Sequence, residues 1–497
     1  MKDLLGAWIV THHPKWIKPV LVEPNSPLWR TDGVVTVQRF FSSLRQKTTG
    51  RHMRLMRTVG SVLGAAVLTA AVLPAQAHAA PATPAKAAAV DPSTPEGTYF
   101  PLTPTRILDT REGNGAPTGP LGGGKTLPLQ VAGRGGVPSA NVSAVVLNLT
   151  VTGPTSAGYL TVYPTGMTRP VVSNVNFTPG WTGANAVTVR LGTGGKVDIY
   201  NPAGNVSVIA DVVGYYVTGT APAKGGNFRP TLPGRVLDTR DADFGGPLSK
   251  FETAWVSVTI DDGTPDSHVR AFAVNITAVN GSLGGYLTAW NGVGKQPNAS
   301  TLNFGKNAAV PNFAVVPTAP CDWDGCEGSM IGIYNGSGGT THVIVDIFGY
   351  YDDSTLGGLR FNPIPPTRIT DTRDAGKRAL GPASTTAFPA ASVTTPNTYA
   401  LATNVTGIDP SNSTYLTLWS GDVARPVVSN LNLLPHEVRA NAAYVGIDDN
   451  FNYSVFNPAH TVHMALDVTG TFELPVAAGS AASTVVTQSV TGQAHRR

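Results

Sequence analysis

The hexapeptide RILDTR, residues 106–111, closes a run of alternating residues on a cluster of charges. It returns as RVLDTR at 235–240 and RITDTR at 368–373, spaced by 129 and 133 residues. A period that long is a domain rather than a propeller blade or a solenoid turn. Further stretches return in the same order: LNLTV, VNITAV and TNVTGI; GYLTVYP, GYLTAWN and TYLTLWS; SNVNF, STLNF and SNLNL; and, at the close, DVVGYY, DIFGYY and DVTGTF. The copies occupy residues 98–217, 227–352 and 359–474, joined by short linkers rich in glycine and small residues.

Within each copy the pattern is that of strands. In AVVLNLTV, residues 144–151, Leu147, Leu149 and Val151 share one face, while Val146, Asn148 and Thr150 share the other. Glycine and proline interrupt such runs every eight to twelve residues, and no long 3.6-residue apolar period follows the leader. The expected fold is all-β: three tandem β-sandwich domains of jelly-roll type, each able to fold alone and strung like beads.

The N-terminal 80 residues read separately. MRLMRT at 53–58, the uncharged run 59–73 and the small residues before Ala80 have the order of a secretory signal peptide. The run is shorter than the roughly 20 residues a spanning helix needs. Residues 53–80 are therefore the signal peptide, and residues 1–52 an upstream extension from a start set too early. Residues 81–97 form a Pro/Ala-rich spacer, and 475–497 a flexible tail. Ten of the 35 basic and three of the 31 acidic residues lie in the first 80, so the remainder carries 25 basic and 28 acidic side chains. That balance gives no general attraction to nucleic acid, and the mature chain carries no apolar transmembrane anchor.

The repeated charges have an economical reading. Asp211, Asp346 and Asp467 sit inside apolar closing strands, where an unpaired carboxylate is costly. Arg106, Arg235 and Arg368 would meet them with two parallel donors and close each domain. Asp109, Asp238 and Asp371, with the threonine that follows each, would satisfy turn amides beside Arg111, Arg240 and Arg373. A ligand site and a carboxylate pair for glycosidic cleavage are the alternatives. The arginines argue against a proton donor, because they depress an acid's pKa. Asn174, Asn176, Asn185 and Asn201 read as fasteners of local loops. Cys321 and Cys326, with four residues between them in an exported chain, read as a local disulfide worth about 2 kcal/mol at most.

Six histidines follow the leader and none lies in the first copy, so no Ser-His-Asp set or histidine metal centre is shared by the copies. No cofactor motif and no metal site is read from the sequence. Candidate binding residues are the aromatics Tyr163, Trp290 and Trp419 with Arg169, Gln296 and Arg425. Such pairs can stack on sugar rings or anchor a protein, and equally can fill a core.

The series Pro, Arg, LDTR, NLTV, GYLTVYP, SNVNF and DVVGYY resembles a DTR-type β-repeat of secreted and cell-surface actinobacterial proteins, covering nearly all of residues 98–474. The resemblance implies an exported accessory module, of the kind often found beside extracellular hydrolases, and supplies no catalytic residues. The expected function is non-catalytic attachment at the cell surface or to envelope glycan, with cell-wall polysaccharide or a surface protein as partner. An extracellular glycan hydrolase and a purely structural spacer are the alternatives.

Overall fold

The computed structural model describes residues 91–476 and 490–496. The upstream extension, the signal peptide, residues 81–90 of the spacer and residues 477–489 of the tail lie outside the described residues.

The first copy contains β1 (Tyr99–Asp109), β2 (Lys125–Gln130), β3 (Val142–Thr152), β4 (Gly158–Pro164), β5 (Val175–Phe177), β6 (Thr182–Arg190), β7 (Lys196–Asn201) and β8 (Ser207–Val217). They form two antiparallel sheets, β1-β8-β3-β6 and β2-β7-β4-β5. The second copy contains β9 (Asn227–Asp238), β10 (Thr253–Ile260), β11 (Val269–Val279), β12 (Gly285–Trp290), β13 (Leu302–Phe304), β14 (Ala309–Pro317), β15 (Ala319–Pro320), β16 (Ser329–Asn335) and β17 (His342–Asp352). The third contains β18 (Arg360–Asp371), β19 (Ser384–Pro389), β20 (Thr398–Ile408), β21 (Thr414–Ser420), β22 (Leu431–Leu433), β23 (Val438–Gly446), β24 (Asn452–Asn457) and β25 (His463–Glu473). The strand order of the first copy repeats in both, with the two-residue β15 added beside β16. The chain is thus all-β, with its sheets grouped in pairs as sandwiches.

Each sandwich has its own aliphatic core. In the first, Leu147, Leu149 and Val151 of β3 meet Leu160, Val162 and Ile199 of the facing sheet. The opposite face of β3 is also buried. Ala144 and Val146 belong to a further core with Ala271 and Ala273 of the second copy and Ala400 and Ala402 of the third. Tyr99, Tyr216, Phe228, Tyr351, Phe361 and Phe472 are among its aromatic rings. The expectation of separate beads is therefore corrected. The three copies lie within one compact unit and share a central core.

Backbone pairing closes the same ring. Tyr99 pairs with Gly226 of the linker entering copy two, and Phe228 pairs with Leu359 of the linker entering copy three. The Phe361 N–H donates to the Gly97 carbonyl at 2.9 Å and completes the circuit. The glycine of each closing motif, Gly214, Gly349 and Gly470, lies against the ring of Tyr99, Phe228 or Phe361 respectively. A Cβ there would overlap that ring, so the G in GYY and GTF is a packing requirement. The GTF variant puts Phe472 where the other copies have Tyr216 and Tyr351. Tyr444 of β23 supplies the third hydroxyl, bonding Tyr216 at 3.1 Å.

The tail departs from the frayed segment expected. Val490–Arg496 forms β26, which pairs antiparallel with β10 at the edge of the second copy's outer sheet. The Cys321–Cys326 disulfide lies nearby in the β15–β16 connection, and Trp323 within it stacks on His495 of β26, centroids 5.6 Å apart. No helix among the described residues is long and apolar enough to cross a membrane.

Candidate functional site

The repeated charges form one arrangement three times. Arg106 Nε donates to Asp211 Oδ1 at 2.9 Å, and its Nη1 reaches Asp109 Oδ2 at 3.4 Å. Arg111 grips the Asp109 carboxylate with Nε at 2.9 Å and Nη2 at 2.7 Å. Arg235, Asp238, Arg240 and Asp346 repeat this, as do Arg368, Asp371, Arg373 and Asp467. Neighbouring strands bring the groups together: β1 runs beside β8 with Arg106 opposite Asp211. The aspartates are buried, whereas Arg111, Arg240 and Arg373 are nearly half exposed.

The two carboxylates of each set differ electrostatically. The hydrogen bonds from Arg111 hold Asp109 below the ordinary carboxylate range. Arg373 holds Asp371 down in the same way, to about 2. Burial pushes Asp211, Asp346 and Asp467 up, against the pull of their arginines. The threonine between them fastens the turn: Thr110 Oγ1 accepts from the Val208 N–H at 3.0 Å. Its counterparts Thr239 and Thr372 bond Nδ1 of His342 and His463.

The repeated asparagines do more than fasten local loops. Asn148 donates to the Ser300 carbonyl of the second copy at 2.6 Å, and Asn312 of the second copy donates back to Asn148 Oδ1 at 3.0 Å. Asn275 and Asn441 repeat this between the second and third copies. Asn404 and Asn185 repeat it between the third and first. Asn185 Oδ1 accepts from the Ala442 N–H, and Asn441 Oδ1 from the Phe313 N–H, on the edge strands β23 and β14. Such side chains satisfy edge amides that a neighbouring chain would otherwise pair. Asn174, by contrast, is local: it accepts from the Val162 N–H at 2.7 Å.

The candidate aromatics are corrected by burial. Tyr163, Trp290 and Trp419 are 6%, 4% and 5% exposed, so none presents a ring to a ligand. They share a strand face with Tyr159, Tyr286 and Tyr415, but the loop that follows folds back beside them. Trp419 Nε1 donates to the Val423 carbonyl of that loop, and Thr161 Oγ1 to Val172 of its counterpart. Arg169 and Arg425 stack over Tyr200 and Phe456 at 3.7 and 3.6 Å from the ring centroids.

A cleft of about 550 Å³ opens between the first and second copies. Arg106, Arg111 and Thr150 line one side; Tyr286, Lys295 and Gln296 line the other. No carboxylate lines it. Of the candidate binding residues, Gln296 stands in this cleft. Tyr286, which the sequence reading passed over, is the exposed aromatic beside it. Among the described residues no cluster of three or more His, Cys, Asp or Glu side chains is arranged to hold a metal.

Compared with models of known protein families and with curated proteins, the chain has no match. A solved structure reported as "The Triple Jelly Roll Fold and Turret Assembly in an Archaeal Virus" is 8% identical, over 77% of this chain and 91% of that one, with a TM-score of 0.15. That likeness is too slight to carry an inference about fold or function.

Proposed function

We propose that this protein is a secreted, non-catalytic attachment protein that holds glycan of the cell envelope through a ring of three jelly-roll domains. The strand orders 1-8-3-6 and 2-7-4-5 within each copy support the jelly-roll reading. The observation that carries the functional reading is the cleft between copies, which combines an exposed tyrosine ring with arginine, threonine and asparagine donors. Sugars are held by that combination of an apolar ring and polar groups.

A hydrolase needs two carboxyl groups facing the substrate, one able to give a proton. Asp109 and Asp211 lie buried behind arginines and outside the cleft lining, which favours binding over cleavage. Export follows from the leader-like run at 53–80 and from the resemblance to actinobacterial surface repeats.

The test is retention of the whole chain on purified cell-wall polysaccharide, with released sugar measured in the same tubes. Retention without release is expected. Release of reducing ends would replace the proposal with a hydrolase. Failure to bind any envelope glycan would remove it.

A further inference from the structure

We infer that the clefts between adjacent copies bind anionic saccharide chains, three equivalent sites to a molecule; the inference rests on the attachment reading and names its site and ligand class. The charge of the cleft is the first observation. Arg106, Arg111 and Lys295 line it without a carboxylate. Asp109 and Asp211 lie behind, each consumed by arginine hydrogen bonds. Lys295 is exposed and makes no ion pair among the described residues. Glu112 acts on Arg111 from outside the cleft lining, but Lys295 has no carboxylate of its own, and a polymer's carboxylate or phosphate gains from it there.

The second observation is the ring. Tyr286 is 38% exposed in this cleft. An aromatic face beside hydroxyl and amide groups suits a pyranose ring, whereas a free anion makes no use of it.

The third is repetition. The same cross-copy asparagine bonds join copies two and three, and copies three and one. That register sets Arg235, Arg240 and Tyr415 in one relation, and Arg368, Arg373 and Tyr159 in the other. Tyr415 and Tyr159 are 38% and 36% exposed, matching Tyr286. Where the second copy has Lys295-Gln296, the third has Ala424-Arg425 and the first Thr168-Arg169. Each junction thus keeps one exposed cation on the same loop although its position shifts by a residue. Val171 and Val427, at the position of the cleft-lining Asn298, are almost wholly exposed and offer the C–H face of a sugar an apolar rim.

The fourth is unspent hydrogen-bonding capacity. The hydroxyls of Thr150, Thr277 and Thr406 are buried and have no partner within the protein. Thr150 lines the cleft, and the other two hold the same position on β11 and β20. A buried polar group without a partner is uncommon, and here it recurs in all three copies. Three like sites around one axis favour a repeating polymer through avidity.

The test uses the whole chain and three probes: tetragalacturonate, its neutral methyl ester, and a glycosylated glycerol-phosphate oligomer. Calorimetric titration is expected to give binding to at least one anionic probe about tenfold or more tighter than to the ester. The carboxylate and phosphate arms distinguish the two sources of charge. Tyr159→Ala/Tyr286→Ala/Tyr415→Ala, and separately Lys295→Glu, are expected to weaken that binding. Lys295→Glu, at an exposed side chain, keeps the melting temperature, and the tyrosine variant, whose rings are nearly two-thirds covered, is titrated below its own melting transition. Affinity for the ester equal to that for both anionic probes overturns the inference. So does unchanged anion binding in the triple tyrosine variant. Should that variant still be retained on wall polysaccharide like the wild type, attachment stands and the clefts are not its site. Should the wild type bind neither wall polysaccharide nor any probe, both readings fall.

Discussion

The private core of each sandwich and the core shared on the axis are built from different residues. The private cores are branched aliphatics: Leu147, Leu149, Val162 and Val208 in copy one, Leu401, Val405, Leu416 and Leu466 in copy three. The axial core pairs alanines with aromatic rings, and asparagines and tyrosine hydroxyls bond across it. Between two sheets, any well-sized aliphatic set gives cohesion. Where three sheet edges converge, backbones approach closely, so side chains must be small, and edge amides need partners. The aliphatic interior makes each copy fold; the polar, size-matched axis makes the copies a ring.

Cutting the ring gives the largest effect. Expressed alone, residues 91–222 would expose Tyr99, Tyr216, Ala144, Val146 and Ala186, all buried in the intact chain. A contiguous apolar face of that kind drives association. The excised copy is expected to self-associate in sedimentation, whereas the intact chain stays monodisperse. A monomeric excised copy that melts as cooperatively as the whole chain would dissolve the distinction between the two cores.

Single substitutions sharpen the same contrast inside the intact chain. Asp211→Ala breaks both bonds from Arg106 to that carboxylate within one copy and leaves Arg106, three-quarters buried, with only the longer contact to Asp109 at 3.4 Å. The expected loss is about 3 kcal/mol in urea unfolding. Asn185→Ala breaks bonds between copies: those to Asn404 and the Ala442 N–H, besides one to Asn174 within the copy. It is expected to cost about 2 kcal/mol, chiefly by leaving buried groups unpaired. A cost below about 0.5 kcal/mol at Asn185 would mean that apolar packing alone holds the ring.

The strands, the three units and the order of the charges are legible in the sequence because each follows a local period or an exact recurrence. The ring is not, because alternation assigns residues to a face without saying what covers that face. Alternation puts Asn148 and Thr150 on the second face of β3, but only the fold shows that they border the axis and a cleft. A clue stands in the composition of that face. AVVLNLTV, AFAVNITA and ALATNVTG carry no charged residue at all, which is unusual for a strand with one face in water. The misread aromatics have a similar cause. Tyr159 and Tyr163 share a strand face, and only the fold of the following loop separates the exposed ring from the buried one. The tail strand was hidden for another reason: TGQAHR has little strand character, and β26 is held by the free edge of β10 and by Trp323.

Acid gives the smallest and most discriminating contrast, because the two carboxylates of each charge set respond in opposite directions. Asp371, with Asp109 and Asp238, has a folded-state pKa below that of an unfolded aspartate near 3.9. Its stabilisation is present above about pH 4 and is lost as the pH falls through the folded value of about 2. Asp467, Asp211 and Asp346 have raised values, so their titration favours the fold at acid pH and that advantage is lost as the pH rises through them. Asp371→Asn removes one group of the first kind while keeping its shape. Its melting temperature should lie below the wild type at pH 5, and the gap should narrow between pH 4 and pH 2 as the wild-type carboxylate takes up its proton. A gap that stays constant across that window would mean that the turn carboxylates do not govern the acid limb. The acid limb would then belong to other carboxylates held low, such as Asp262, where burial is outweighed by the bonds from Tyr350, Thr264 and Arg229 and the value falls to about 2.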